Sequence, residues 1–80
     1  MKIALITGAS QGIGAAITTI LNKNNIKVIL VSRSKRKLKN FQMTLKNKKN
    51  SIIISKDLRT LSACKTLSRK FKKINYLINV

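Results

Sequence analysis

The sequence predicts an α/β fold, a doubly wound parallel sheet with helices packed on its faces. Two observations carry that prediction. Along the 80 residues, short apolar runs alternate with apolar stripes at helical spacing, and the order reads β-α-β-α-β-α-β. All three glycines, Gly8, Gly12 and Gly14, cluster at the first junction between strand and helix, and proline is absent. Short strands joined by helical crossovers must run parallel, with right-handed connections.

Each element has its own local signal. Ile3 to Ile6 is a short apolar run that ends at Thr7-Gly8, as expected of a buried strand. From Gln11 onward Ile13, Ile17, Ile20 and Leu21 fall on one helical face, which is expected to pack inward. Asn24-Asn25 ends this helix, because asparagine tolerates the left-handed conformation of a C-terminal cap. Ile26 to Val31 reads as a second strand, apolar at both parities apart from Lys27 and so covered on both faces.

Ser34 is the expected N-cap of a charged second helix whose inner face is Leu38, Phe41 or Gln42, and Leu45. Asn47 to Asn50 breaks it. Ile52 to Ile54 follows as a third buried strand, closed by Lys56-Asp57. A third helix is expected on Leu61, Cys64, Leu67 and Phe71, with Thr60 as a cap, and Ile74 to Ile78 reads as a fourth strand. Cys64 belongs to that stripe as a small apolar residue and Tyr76 to the strand as a packing residue.

Composition excludes several chemistries within these residues. Eighteen Lys and Arg stand against one acid, Asp57, for a formal net charge of +17; histidine is absent and there is one cysteine. A Cys/His zinc site, a Ser-His-Asp arrangement and a pair of catalytic carboxylates are all ruled out. No stretch approaches the ~20 apolar residues of a membrane span, and the first ten residues lack a secretory pattern, so a cytoplasmic protein without a membrane partner is expected. The charge raises the question of nucleic acid. Lys, Asn and Ile, all residues with A/T-rich codons, supply 34 of the 80 positions, and the bases are spread through the sequence. Compositional drift onto solvated positions therefore accounts for the charge better than a nucleic-acid partner does.

The glycine cluster carries the chemistry. Thr7-Gly8-Ala9-Ser10-Gln11-Gly12-Ile13-Gly14 lies between the first strand and the first helix. A pyrophosphate needs a sharp turn at a strand end, a backbone without Cβ atoms in the way, and helix N-terminal amides aimed at the anion. Glycine supplies the first two and the helix the third. The spacing G-x-x-x-G-x-G differs from the G-x-G-x-x-G of the general dinucleotide fingerprint.

The octet resembles the T-G-x-x-x-G-x-G motif of the short-chain dehydrogenase/reductase family. The resemblance runs on through the chain: Asp57-Leu58 is similar to the segment bearing the family's adenine-contacting Asp. Asn75 to Asn79 is similar to the strand leading into its N-N-A-G motif, with Asn79 at the first Asn and Val80 in place of the second. It implies a Rossmann-like sheet of strand order 3-2-1-4 and cofactor contacts from Gly8, Ser10, Gln11, Gly12, Ile13, Gly14, Asp57, Leu58 and Asn79. Val31-Ser32-Arg33, at the end of the second strand, selects the dinucleotide. A carboxylate there would bind the ribose of NAD, whereas Arg33 and Ser32 suit the 2′-phosphate of NADP. Gln11 stands where some NADP-preferring relatives carry a second basic residue.

The family's chemistry resides in a Tyr-x-x-x-Lys pair and a preceding Ser. No Tyr-x-x-x-Lys occurs in these residues, since Tyr76 is the one tyrosine and Val80 lies four positions on. The resemblance therefore implies a partial NAD(P)-binding domain over residues 1–80 whose catalytic half lies beyond them. Such a chain would bind NADP, act on a carbonyl or alcohol, as a 3-oxoacyl ketoreductase does, only in a longer form, and expose an apolar fourth-strand edge prone to self-association. A nucleic-acid-binding module of the same fold and a remnant without function are the alternatives.

Overall fold

The computed structural model describes residues 2–56 and 74–79. These contain β1 (Ile3–Thr7), α1 (Gly12–Lys23), β2 (Lys27–Ser32), α2 (Lys35–Gln42), a 3₁₀ turn (Lys48–Asn50), β3 (Ser51–Ser55) and β4 (Tyr76–Asn79). The expected third helix, with Asp57 and Leu58 before it, lies outside the described residues.

All strand pairings are parallel and the order is β3-β2-β1-β4, as the resemblance implied. Ile3 to Thr7 of β1 pair with Lys27 to Val31 of β2, and Ala4 to Thr7 pair on the other side with Tyr76 to Asn79 of β4. The two central strands are buried on both faces, which is why they read as unbroken apolar runs. One face gathers Ala4, Ile6, Val28 and Leu30 with Leu38, Phe41 and Leu21, so α1 and α2 cover the same side. The opposite parity places Leu5, Ile29 and Val31 with Ile52, Ile54 and Ile74 on the other. Complete burial of each Ile, Leu or Val contributes about 1.5–3 kcal/mol, and the fully buried Ile6, Val28, Ile29 and Leu30 make β1 and β2 the firm centre of the sheet.

Three expectations need correction. The inward face of α1 is not the isoleucine stripe: Ile13 is 70% and Ile20 61% exposed, whereas Gly14, Thr18 and Asn22 are buried. Among the described residues Leu21 packs on the core, and Ile17 is half-buried. The reason is close approach. Gly14 lets the helix lie near the chain, and the polar groups that follow are satisfied within the fold: Thr18 Oγ1 donates to the Gly14 carbonyl at 2.7 Å.

Asn22 and Asn47 make a second such arrangement. Asn22 Nδ2 donates to the Asn47 carbonyl (2.9 Å), Asn47 N–H to Asn22 Oδ1 (2.9 Å), and Asn47 Nδ2 to the Asn22 carbonyl (3.0 Å). Asn47 is thus more than a helix breaker, because it fastens the segment before β3 to the last turn of α1. The stop at Asn24-Asn25 is as expected, with Asn25 at φ 63°.

The second correction concerns α2, which ends at Gln42 rather than running to Leu45. Gln42 turns its amide to Ser51 Oγ (2.8 Å), and Leu45 reaches the core from the turn that follows. Its expected start holds, since Ser34 Oγ accepts from Lys37 N–H at 3.3 Å. The third concerns the sheet edges. Ile52 to Ile54 are half-buried rather than buried, and β4 begins at Tyr76 rather than Ile74, while its exposed edge, with Leu77 at 72%, is as expected. Among the described residues no helix is long and apolar enough to cross a membrane.

The Asn22–Asn47 arrangement should hold the two halves of this face together. Asn22→Ala leaves two groups of Asn47 without partners in a part-buried place and should cost about 1–3 kcal/mol. Asn24→Ala, which removes one exposed bond to Ile20, should cost under about 0.5 kcal/mol. Urea denaturation midpoints of the two variants check the contrast, and equal shifts would contradict it.

Candidate functional site

The strand order reverses at β1: the chain moves from β1 outward to β2 and β3, and β4 returns to the other side of β1. A crevice at the carboxyl ends of β1 and β4 follows from that reversal, and in open α/β sheets it is where ligands bind. The glycine turn sits at this place.

The turn is shaped by two left-handed residues and one close contact. Gly8 has φ 66° and Gly12 φ 54°, values that cost L side chains about 1–2 kcal/mol. The Gly8 N–H donates to the Val31 carbonyl at 3.0 Å, which ties the turn to the end of β2. A Cβ on Gly14 would overlap the Gly8 carbonyl oxygen and stand 3.0 Å from its carbon and 3.3 Å from Ala9 Cα. No side chain fits there. A Cβ on Gly12 would meet nothing within 4 Å, so the backbone at Gly12 fronts open space.

Helix α1 begins over this opening. Gln11 is its N-cap, in extended conformation (φ −142°, ψ 152°), and makes no side-chain capping bond. The first helical bond runs from Ala15 N–H to the Gln11 carbonyl (3.2 Å), so the amides of Gly12, Ile13 and Gly14 precede the ladder. Gly12 and Ile13 are exposed and Gly14 is buried against the turn. Amides at a helix N-terminus, together with the helix dipole, favour an anion. Ser10 is half-buried and Gln11 exposed beside them.

The other candidates stand on the same edge. Thr7 Oγ1 donates to Asn79 Oδ1 at 2.7 Å, and Thr7 and Asn79 are register partners, so β4 brings Asn79 against the start of the turn. Ser32 closes β2 half-buried. Its Oγ accepts from Ser34 N–H at 3.4 Å and keeps an O–H to donate. Arg33 is exposed, with its carbonyl held by Ser55 Oγ at 2.9 Å, and the Ser32 carbonyl accepts from Lys56 N–H at 3.0 Å. The backbone of the Arg33 turn is therefore fixed from β3 while its guanidinium remains in solvent. Among the described residues no side-chain carboxylate lies anywhere, on this edge or elsewhere.

Of the residues to which the sequence points, Gly8, Ser10, Gln11, Gly12, Ile13, Gly14, Ser32, Arg33 and Asn79 come to one edge of the fold. Asp57 and Leu58 lie outside the described residues. Two positioning residues have no local signal in the sequence. Thr7 belongs to the motif, but it meets Asn79 across |i−j| = 72. Ser55 could be found only once β2 and β3 were paired in register.

Comparison with known proteins agrees with this fold. A family model described as short chain dehydrogenase matches residues 2–80. The chain is 40% identical over 77 residues to the 3-oxoacyl-(acyl-carrier-protein) reductase FabG of Rickettsia typhi, an alignment covering 96% of this chain and 31% of that protein. Among solved structures, a short chain dehydrogenase from Bacillus anthracis superposes with a TM-score of 0.82 at 26% identity, covering 99% of this chain and 34% of the other. An actinorhodin polyketide ketoreductase solved with NADPH shares the fold with a TM-score of 0.81 at 23% identity, over 99% and 32% of the two chains. The chain thus spans about a third of the length of the relatives it matches.

The two inner glycines should respond differently to a methyl group. Gly14→Ala must push α1 off the turn and should cost about 3 kcal/mol, at the upper end for overpacking. Gly12→Ala meets only the left-handed conformation and should cost about 1–2 kcal/mol. Denaturation midpoints rank the two, and the reverse order would contradict the close contact described.

Proposed function

This chain belongs to the short-chain dehydrogenase family of oxidoreductases, and on that footing we propose that its carboxyl-edge crevice binds NADP for hydride transfer between NADPH and a carbonyl or alcohol. The observation that carries the reading is the uncapped start of α1 above Gly12, where open space replaces a side chain. A pyrophosphate fits this cradle, because a Cβ would fill it and the exposed amides supply the hydrogen bonds that no side chain makes.

The residues have distinct parts in that reading. Gly8, Gly12 and Gly14 shape the turn, the amides of Gly12 and Ile13 hold the pyrophosphate, and Ser10 and Gln11 flank it. Asn79, steadied by Thr7, borders the ribose side of the crevice. Arg33 and Ser32 meet the 2′-phosphate, and the family resemblance gives the adenine contact to Asp57 with Leu58. Bound NADPH supplies the hydride. The preference for NADP over NAD rests on charge: Arg33 is exposed at the end of β2, at the position where a carboxylate would serve the ribose of NAD.

We assign residues 1–80 to one cofactor-binding unit of the family. The proposed substrate class is the 3-oxoacyl thioester, on the strength of the Rickettsia relative's name. Because the 80 residues contain no Tyr-x-x-x-Lys, the polypeptide by itself is expected to bind the dinucleotide without turning over a carbonyl substrate. Self-association is proposed through β4, whose Leu77 is exposed at the sheet edge.

Two measurements test these proposals. In a titration followed by NADPH fluorescence, Arg33→Ala should weaken binding about 10- to 100-fold, the range of a charge-assisted contact, and leave NADH binding within about threefold. Equal losses for both dinucleotides would remove the NADP preference. In sedimentation velocity, Leu77→Lys should shift the chain towards monomer; an unchanged distribution would exclude β4 as the contact.

A further inference from the structure

The amino-terminal edge of the sheet, opposite the dinucleotide crevice, has a chemistry of its own. In sequence its lysines look scattered, but the strand order brings them into a row. Lys49 and Lys48 precede β3, Lys27 opens β2, and Lys2 precedes β1, following the β3-β2-β1 order across the sheet. Lys27 N–H donates to the Lys2 carbonyl at 2.9 Å, so those two are neighbours. Adjacent strands lie about 4.8 Å apart, which sets the pitch of the row.

The row is held rather than floppy at its β3 end. The three hydrogen bonds between Asn22 and Asn47 fix Lys23, beside Asn22, next to Lys46 and Lys48, which flank Asn47. Lys46, Lys48 and Lys49 are exposed and, with Asn47 and Asn50, line a surface depression. Gln42 braces the same segment through Ser51. Like charges gathered this closely repel each other unless an anion is present, and no carboxylate side chain is found among the described residues. At the other end of the row Tyr76 is 39% exposed, with Lys2 Nζ 5.8 Å from its ring centroid.

From this arrangement we propose that the amino-terminal edge binds single-stranded nucleic acid through its phosphates. A row extended across three strands suits a phosphodiester backbone better than a compact anion, which one lysine cluster would satisfy. An exposed aromatic beside the row offers a face on which a base can stack. Lysines without a bidentate pattern hold phosphates but read no sequence, so binding is sequence-tolerant and salt-dependent. The site is separate from the dinucleotide crevice and does not rest on the NADP reading.

Fluorescence anisotropy of the 80-residue chain with a labelled oligo-dT of about 20 nucleotides tests it. The combined Lys46→Ala, Lys48→Ala and Lys49→Ala variant should weaken binding more than about tenfold and lower the slope of log affinity against log salt by about 2, the counterions of three phosphates. Lys35→Ala, Arg36→Ala and Lys37→Ala together remove the same charge from the start of α2 and should change affinity less than about threefold. Lys2→Ala with Lys23→Ala gives an independent check at exposed positions, expected to weaken binding in the same direction. Equal losses for the two triple variants would show that net charge alone attracts the strand and would overturn the site. Displacement by saturating NADPH would overturn it by placing the strand in the crevice, and so would stronger competition by duplex than by single strand.

Discussion

The contact of Gly14 with the Gly8 carbonyl governs the rest of the molecule. With no Cβ between them, α1 lies directly on the turn that leaves β1. That single approach sets the roll of the helix, and the roll decides which side chains go inward. A helix seated so close has room for Gly14, Thr18 and Asn22 but not for a row of isoleucines, so Ile13 and Ile20 face out. The same contact aims the first amides of α1 at the point where the strand order reverses. Packing and site are therefore one geometric fact: the helix cannot be moved off the turn without also moving the anion cradle.

The polar groups made inward by this roll are stabilised by satisfaction inside the fold rather than by exposure. Thr18 bonds back to Gly14, and Asn22 bonds to Asn47, twenty-five positions away. A buried amide left unpartnered is costly, whereas a satisfied one fixes a unique arrangement. Here that arrangement joins the last turn of α1 to the segment before β3. It positions the lysine-rich amino-terminal edge just as the glycines position the carboxyl edge. The two edges thus differ in how they would hold phosphate, by backbone amides on one and by lysine side chains on the other.

Much of this was legible in the sequence, and what was not has definite physical causes. The parallel sheet followed from the alternation of periods, and the turn from three glycines in seven residues, because both are local signals. The Ser34 cap and the Asn24-Asn25 stop were readable for the same reason. Hydrophobic periodicity failed on α1, where Ile13, Ile17 and Ile20 suggested the inner face. The spacing of apolar side chains carries no trace of the glycine contact that has already chosen the face. Long-range partners were equally hidden: Thr7 with Asn79, Arg33 with Ser55 and Asn22 with Asn47 meet only after the strands are in register. Edge position was likewise invisible in β3, whose apolar run looks like those of the central strands but is half open to solvent.

The most direct test of the carboxyl-edge site is an amide chemical-shift titration of the ¹⁵N-labelled chain with NADPH. Perturbations concentrated at Gly8, Gly12, Ile13, Arg33 and Asn79, with Lys46 to Asn50 unmoved, are expected if the uncapped start of α1 holds the pyrophosphate. Saturable shifts confined to the lysine edge, or none at Gly12 and Ile13, would contradict it.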